Sequence, residues 1–116
     1  MSRLRNVPHA RDRIRESAFC VTDPEAQKGK WKELFGNSAP VHAEIGMGKG
    51  KFLMQLAQQN PHIHYIGIEK YSSVLVRALE KMEDIPLNNV HFIRMDAEYI
   101  QMVFGKGEVD QIYLNL

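Results

Sequence analysis

The heptapeptide Glu44-Ile45-Gly46-Met47-Gly48-Lys49-Gly50 lies between a short apolar run, Val41 to Ile45, and an amphipathic one, Lys51 to Gln59. Three glycines at alternate positions let the backbone turn tightly and let a ligand approach the main chain. The helix that follows offers unpaired N–H groups at its start. A strand, a glycine-rich turn and a helix in that order make a nucleotide-type site; a turn that needs positive φ for structural reasons alone is the other reading. The dinucleotide fingerprint would want glycine at position 51, where the chain has Lys51, and has no need of an acid at Glu44. The P-loop also fails, because no Gly-Lys-Ser/Thr follows at the required spacing.

Beyond residue 40, short apolar runs alternate with longer amphipathic ones, the pattern of βαβ units on a parallel sheet. Val41 to Ile45 is the first strand, and Lys51 to Gln59 is a helix with Phe52, Leu53, Leu56 and Ala57 on one face and Asn60-Pro61 as its stop. His64 to Glu69, rich in β-prone residues, is the second strand. A helix is expected from about Ser72 to Met82, with Leu75, Ala78, Leu79 and Met82 on one face and Ser72 or Ser73 as its cap. Asn88-Asn89 turns into a third strand, Val90 to Met95. A short helix near Ala97 to Phe104 then leads through Gly105-Lys106-Gly107 to a fourth strand, Gln111 to Leu116. Upstream, Asp23-Pro24 signals a helix start. Lys28 to Phe35 is expected as a short helix that carries Trp31, Leu34 and Phe35 onto the core and ends at Gly36-Asn37.

Fifteen Lys and Arg stand against 14 Asp and Glu among 116 residues, a net charge of +1. That is not the footprint of a protein that coats nucleic acid or a membrane by charge alone. The hydrophobic (44%) and charged (25%) fractions fit one globular domain. Cys20 is the single cysteine, which excludes an intrachain disulfide and a Cys-rich zinc site, so a reduced, cytoplasmic setting is expected. Arginines at 3, 5, 11, 13 and 15 occupy the place where a signal peptide needs an apolar core. The longest uncharged run, Phe52 to Ile68, contains Gln55, Gln58, Gln59, Asn60 and Pro61, and no membrane span is expected from it. The charge is uneven along the chain. Residues 1–32 hold eight basic and four acidic groups, a local charge of +4, and the remaining 84 residues carry −3. Such a basic N-terminal arm can reach a phosphate backbone, or can be a solvated terminus.

Two further carboxylates occupy equivalent places in successive βαβ units. Glu69 ends the second strand, 25 residues after Glu44, where an acid can accept both hydroxyls of a ribose. Asp96 ends the third strand 27 residues later, where an acid can accept the adenine amine, with the main chain near Ala97 supplying further base contacts. All three acids fall at C-terminal strand ends, where open α/β sheets bind ligands. Taken singly, each can equally be a helix cap or a loop carboxylate.

The Glu-x-Gly-x-Gly-x-Gly loop resembles the first motif of the S-adenosylmethionine-dependent methyltransferases. A wider set of residues is similar to the bacterial tRNA (guanine-N7-)-methyltransferases, which modify a guanine of the tRNA variable loop. It comprises RLRNVPHA near the N-terminus, Gly29-Lys30-Trp31, Leu34-Phe35-Gly36-Asn37, EIGMGKGKF, YIGIE, Asp96-Ala97, and Gly107-Glu108-Val109-Asp110 before IYLNL. The resemblance implies a Rossmann-like α/β methyltransferase fold with S-adenosylmethionine as methyl donor, held by Glu44, Gly46, Glu69 and Asp96. It implies tRNA as substrate. In that family the fourth strand runs into Asn-Phe-Ser-Asp-Pro-Trp-Pro-Lys, whose aspartate belongs to the active site, whereas this sequence reaches Asn115-Leu116. The expectation is therefore a fold truncated after the fourth strand of the parallel sheet, with no catalytic residue assigned. Residues 1–38 would form the basic arm and short helix, and residues 39–116 the N-terminal half of the donor-binding domain. An open fourth strand, with Ile112, Tyr113, Leu114 and Leu116, would invite self-association.

Several residues carry two readings. His42, His64 and His91 can approach one another on neighbouring strands, but with no Cys or carboxylate at ligand spacing they are read as surface or packed imidazoles rather than metal ligands. Met47 can touch a donor or fill space. Lys49 and Lys51 can meet phosphate or face water. Tyr71 can stack near the nucleotide or cover a helix start, and Trp31 is read as a core anchor. Two other functions remain open, an NAD-binding Rossmann domain and a non-catalytic fragment that binds S-adenosylmethionine or tRNA.

Overall fold

The computed structural model describes residues 7–36 and 38–115. Four strands, β1 (Val41–Ile45), β2 (His64–Glu69), β3 (Val90–Arg94) and β4 (Gln111–Leu114), make one parallel sheet in the order β3-β2-β1-β4. The chain steps outward from β1 to β3, then returns to place β4 on the other side of β1. The strand order therefore reverses beside β1, and the glycine-rich loop leaves the sheet at that switch point.

Alternation along the strands divides the core into two layers. Tyr65, Val90 and Phe92 face α3 (Lys51–Gln59) and α4 (Ser72–Asp84), where Leu53, Ala57, Leu75, Ala78, Leu79 and Met82 are buried. Val41, Ala43, Ile45, Ile66, Ile68 and Ile93 face the opposite way, covered by Trp31 and Val103. Strands buried on both faces explain the near-continuous apolar runs in the sequence. Gly67 lies mid-strand in the first layer because nothing larger fits. A β-carbon there would overlap Met47 Sδ and come within 2.8 Å of Leu53 Cδ2. Met47 is thus a space-filling side chain, buried over the sheet.

The second layer is closed by α2 (Trp31–Phe35), which is shorter than the predicted Lys28 to Phe35 because Lys28 and Gly29 form a turn, with Gly29 at a φ of 80°. Trp31 is fully buried and donates its indole N–H to the Val103 carbonyl at 2.9 Å. The Glu108 carboxylate accepts from the backbone N–H groups of Gly29, Trp31 and Gly105, so it fastens α2 to the approach of β4. Leu34, expected on the core, is 41% exposed instead, since one short turn can bury only one face. Two more local expectations shift. The short helix expected near Ala97 to Phe104 is a 3-10 segment that ends at Met102, and α4 has no side-chain cap, because Ser73 Oγ accepts instead from the backbone N–H of Val7 at 2.9 Å.

The described part of the N-terminal region packs against the sheet domain. Helix α1 (Ala10–Glu16) buries Ala10 and Ile14 in the first layer. Its Arg13 lies 3.6 Å from Glu80 and 3.3 Å from Glu83 of α4. Residues Phe19-Cys20-Val21 then run beside β3. Phe92 N–H donates to Phe19 C=O, and Val21 N–H donates to Phe92 C=O, which covers that edge of the sheet. Arg3 and Arg5 of the predicted arm, with Asn37 and Leu116, lie outside the described residues. No helix among the described residues is long and apolar enough to cross a membrane.

The three histidines separate by strand register. His64 stacks on Phe35 at 4.3 Å between ring centroids, and His91 lies 5.2 Å from the same ring. His42 points to the other face, against Tyr65 and Tyr113.

Candidate functional site

After Ile45 the chain must turn from a buried strand into α3 within five residues. Gly46, Gly48 and Gly50 all adopt positive φ, at 79°, 59° and 81°. At Gly50 space is also limiting, since a β-carbon would stand 3.1 Å from Ala78 Cβ, so this glycine lets α3 and α4 approach. The loop is tied to the end of β2. The N–H groups of Gly46 and Met47 both donate to the Ile68 carbonyl, at 2.9 and 3.0 Å, and Gly48 N–H donates to Glu69 Oε1 at 3.0 Å.

Glu69 is nearly buried, and its second oxygen accepts from Tyr71 N–H at 3.0 Å. Each carboxylate oxygen keeps a further lone pair, so Glu69 can hold the loop and still accept ligand hydroxyls. Asp96 caps the 3-10 segment after β3, with Oδ1 accepting from Glu98 N–H at 3.0 Å, and its Oδ2 lies 3.3 Å from Lys70 Nζ. The Glu98 N–H bond and then Lys70 hold the Asp96 carboxyl below its ordinary range, so it is ionised at neutral pH. Lys70 is shifted up in turn by Asp96. This lysine joins the end of β2 to the end of β3, a role the sequence reading did not assign; its only signal was its place next to Glu69.

Glu44 is fully buried. Burial raises its carboxyl pKa, and a long contact from Asn115 Nδ2 to Oε2, 3.4 Å, offsets this in part. Its Oε1 has no hydrogen-bond partner among the described residues. A buried carboxylate with one oxygen unmet is costly unless a donor arrives. Asn115 was also missed by the sequence reading. It is placed here because its backbone N–H extends the β4 pairing to the Ile45 carbonyl at 3.0 Å.

The structure thus brings Gly46, Gly48 and Glu69 together directly and joins Asp96 to them through Lys70, whereas Glu44 stands apart at the β1–β4 side with Asn115. A ligand lying across these strand ends would meet open space over Gly48 and the carboxylates of Glu69 and Asp96, with the buried Glu44 Oε1 on the β1–β4 side as a further acceptor that has no partner among the described residues. Tyr71, 48% exposed, stands beside Lys70. Lys49 and Lys51 are exposed to solvent. That donor and acceptor set fits an elongated cation with an amine, vicinal hydroxyls and an aromatic amine, as in S-adenosylmethionine.

Residues 38–116 match the family model Methyltransf_4, described as "Putative methyltransferase". The chain is 58% identical over 113 residues to the tRNA (guanine-N(7)-)-methyltransferase of Lachnoclostridium phytofermentans, covering 97% of this chain and 53% of that protein. It is 51% identical over 114 residues to the protein of the same name from Bacillus cytotoxicus, covering 97% and 52%. It therefore spans about half the length of these curated relatives. Among solved structures, an antibiotic-related methyltransferase superposes with a TM-score of 0.62 at 27% identity, covering 74% of this chain and 45% of that one. Fold, loop and relatives agree, and the chain belongs to the Methyltransf_4 methyltransferase family, with the Rossmann-like sheet expected of it.

Proposed function

We propose that this chain carries the methyl-donor site of a cytoplasmic tRNA (guanine-N7-)-methyltransferase, with S-adenosylmethionine held by Glu44, Gly46, Glu69 and Asp96. The observation that carries this reading is the fully buried Glu44 near the end of β1, whose Oε1 lacks a donor among the described residues. In this reading Glu44 receives the ammonium of the donor's amino-acid end, the loop backbone around Gly46 passes beneath it, Glu69 accepts the ribose hydroxyls and Asp96 the adenine amine.

The donor supplies an activated methyl on a sulfonium, which guanine N7 can accept through its own lone pair without prior deprotonation. The work left to the protein is positioning. Glu69 suits that task because Gly48 and Tyr71 already fix both of its oxygens. The family's base-orienting aspartate segment is not among residues 1–116. The isolated polypeptide is accordingly expected to bind donor and to transfer little or no methyl to tRNA. The exposed Ile112 and Leu114 on β4 also favour association between copies.

Isothermal titration of the 116-residue chain with S-adenosylhomocysteine tests the reading. Binding is expected, and Glu44→Gln should weaken it by at least about tenfold, since a hydrogen bond to a charged group contributes about 1.5–3 kcal/mol. Binding of NADH instead would identify a dinucleotide site. Binding of neither would remove the proposal.

A further inference from the structure

Beside the donor loop, but on the outer side of α4's first turn, a cleft of about 500 Å³ opens between α1 and the ends of β2 and β3. Val7, Arg11, Lys70, Ser73 and Arg94 are among its lining residues. A second lobe of about 280 Å³ continues past Arg11 and Arg94 to Arg15 and Thr22. Arg11 and Arg94 line both lobes, so the two form one groove along the α1–β3 side of the molecule.

The charges in this groove are unbalanced. Its one acidic lining residue is Asp12, which Arg15 engages by a salt bridge and which His9 approaches to 3.8 Å. Lys70 is satisfied by Asp96. The exposed guanidinium groups of Arg11 and Arg94 make no ion pair or hydrogen bond with the described residues. The reason lies in α1 itself. Arg13 turns to Glu80 and Glu83 of α4, while Arg11 and Arg15, four residues apart, share the opposite side of the helix. Arg94, at the end of β3, comes to the same groove because the strand alternation directs it to the face of Phe92. Two guanidiniums that line one groove without a counter-charge of their own offer an anion two cationic contacts. Guanidinium forks match phosphate oxygens in geometry and remain charged at every physiological pH.

We propose that this groove binds the phosphodiester backbone of the tRNA, with Arg11 and Arg94 as the principal contacts and Arg15 at its far end. The inference rests on the methyltransferase reading for the identity of the RNA. Part of the basic character of the N-terminal third, Arg11 and Arg15, is thereby carried by a docked helix face beside the donor site, which shares Lys70 and Tyr71 with the groove.

The test is equilibrium binding of an unmodified tRNA transcript to the 116-residue chain across a salt series, with S-adenosylhomocysteine titrated in parallel. Arg11→Gln/Arg94→Gln should lower tRNA affinity by at least about tenfold at low salt. It should also make the slope of log K against log salt shallower by about 1.4–1.8, the counterion release of two contacts. Arg77→Gln removes the same kind of charge from a residue paired with Glu80 outside the groove, and should leave both quantities unchanged. S-adenosylhomocysteine affinity should be the same in all these proteins. A double variant that binds tRNA like the parent overturns the groove. So does displacement of tRNA by low millimolar inorganic phosphate at constant ionic strength, which would mark a site for free phosphate. If the parent binds S-adenosylhomocysteine but no tRNA, the groove proposal fails and the donor reading stands; if it binds neither, the methyltransferase reading itself fails.

Discussion

Glu44 is a carboxylate without solvent contact, and its pKa is raised because burial penalises the ionised form. The folded chain therefore binds this proton more tightly than the unfolded chain does. The cost of burial is absent at pH values below the unfolded carboxyl's range, and it is complete once pH exceeds the raised folded value. Glu44→Gln removes the charge and keeps the shape. At pH 7 it should raise stability by about 1 kcal/mol, a few degrees in Tm, while it weakens ligand binding, and the gain should shrink as pH falls toward the ordinary carboxyl range. Thermal melts at pH 7 and pH 4.5, read beside the calorimetry, check both halves. The sequence showed that an acid ends β1, because strand, loop and helix signals bracket it. It did not show that Oε1 would lack a partner, or that Asn115 and Lys70 would complete the surroundings. Those relations depend on β4 returning beside β1 and on β2 ending level with β3, and one-dimensional spacing does not encode such registers.

At the scale of elements, the loop between β1 and α3 is supported from below by Met47 on Gly67. Gly67→Ala would force Met47 and Leu53 aside, with an overpacking cost of about 1–3 kcal/mol. Because Met47 is part of the loop, the same substitution should weaken S-adenosylhomocysteine binding. Met47→Ala in the Gly67→Ala background should recover part of the lost stability, and urea denaturation of the single and double variants measures this coupling. If Gly67→Ala proves neutral, Met47 does not seat the loop. The four strands and α3 and α4 were readable from periodicity, since each is flanked by turn chemistry and buries a regular face. Short pieces were less readable. Trp31–Phe35 and Ala97–Met102 owe their form to the Trp31–Val103 bond, the Glu108 clasp and the Asp96 cap, and the first two of these are long-range contacts. The arginines of α1 gave a basic stretch in the sequence, but only the helix docked on α4 sorts Arg13 to one side and Arg11 with Arg15 to the other.

Across the whole molecule, the two edges of the sheet differ. On β4, Ile112 and Leu114 are 46% and 68% exposed, and the proposal that copies of the 116-residue chain meet there is open to test. Sedimentation of the 116-residue chain should show concentration-dependent association that Ile112→Thr/Leu114→Thr reduces. A monomer at all concentrations would count against it. On the β3 side, Phe19-Cys20-Val21 closes the edge through backbone bonds to Phe92. Cys20 sits inside that closure with its thiol pushed up to about 12 by burial, an effect that a bond with Ser17 offsets only in part. At mildly alkaline pH it holds far less thiolate than a free cysteine, and the thiolate is the form that alkylating reagents attack. As the only sulfhydryl in the chain, Cys20 can serve as a clock for the molecule. The rate at which iodoacetamide consumes it, followed by intact mass, should count how often the N-terminal strap peels from the sheet, and a substrate that settles across α1 and β3 should slow that count.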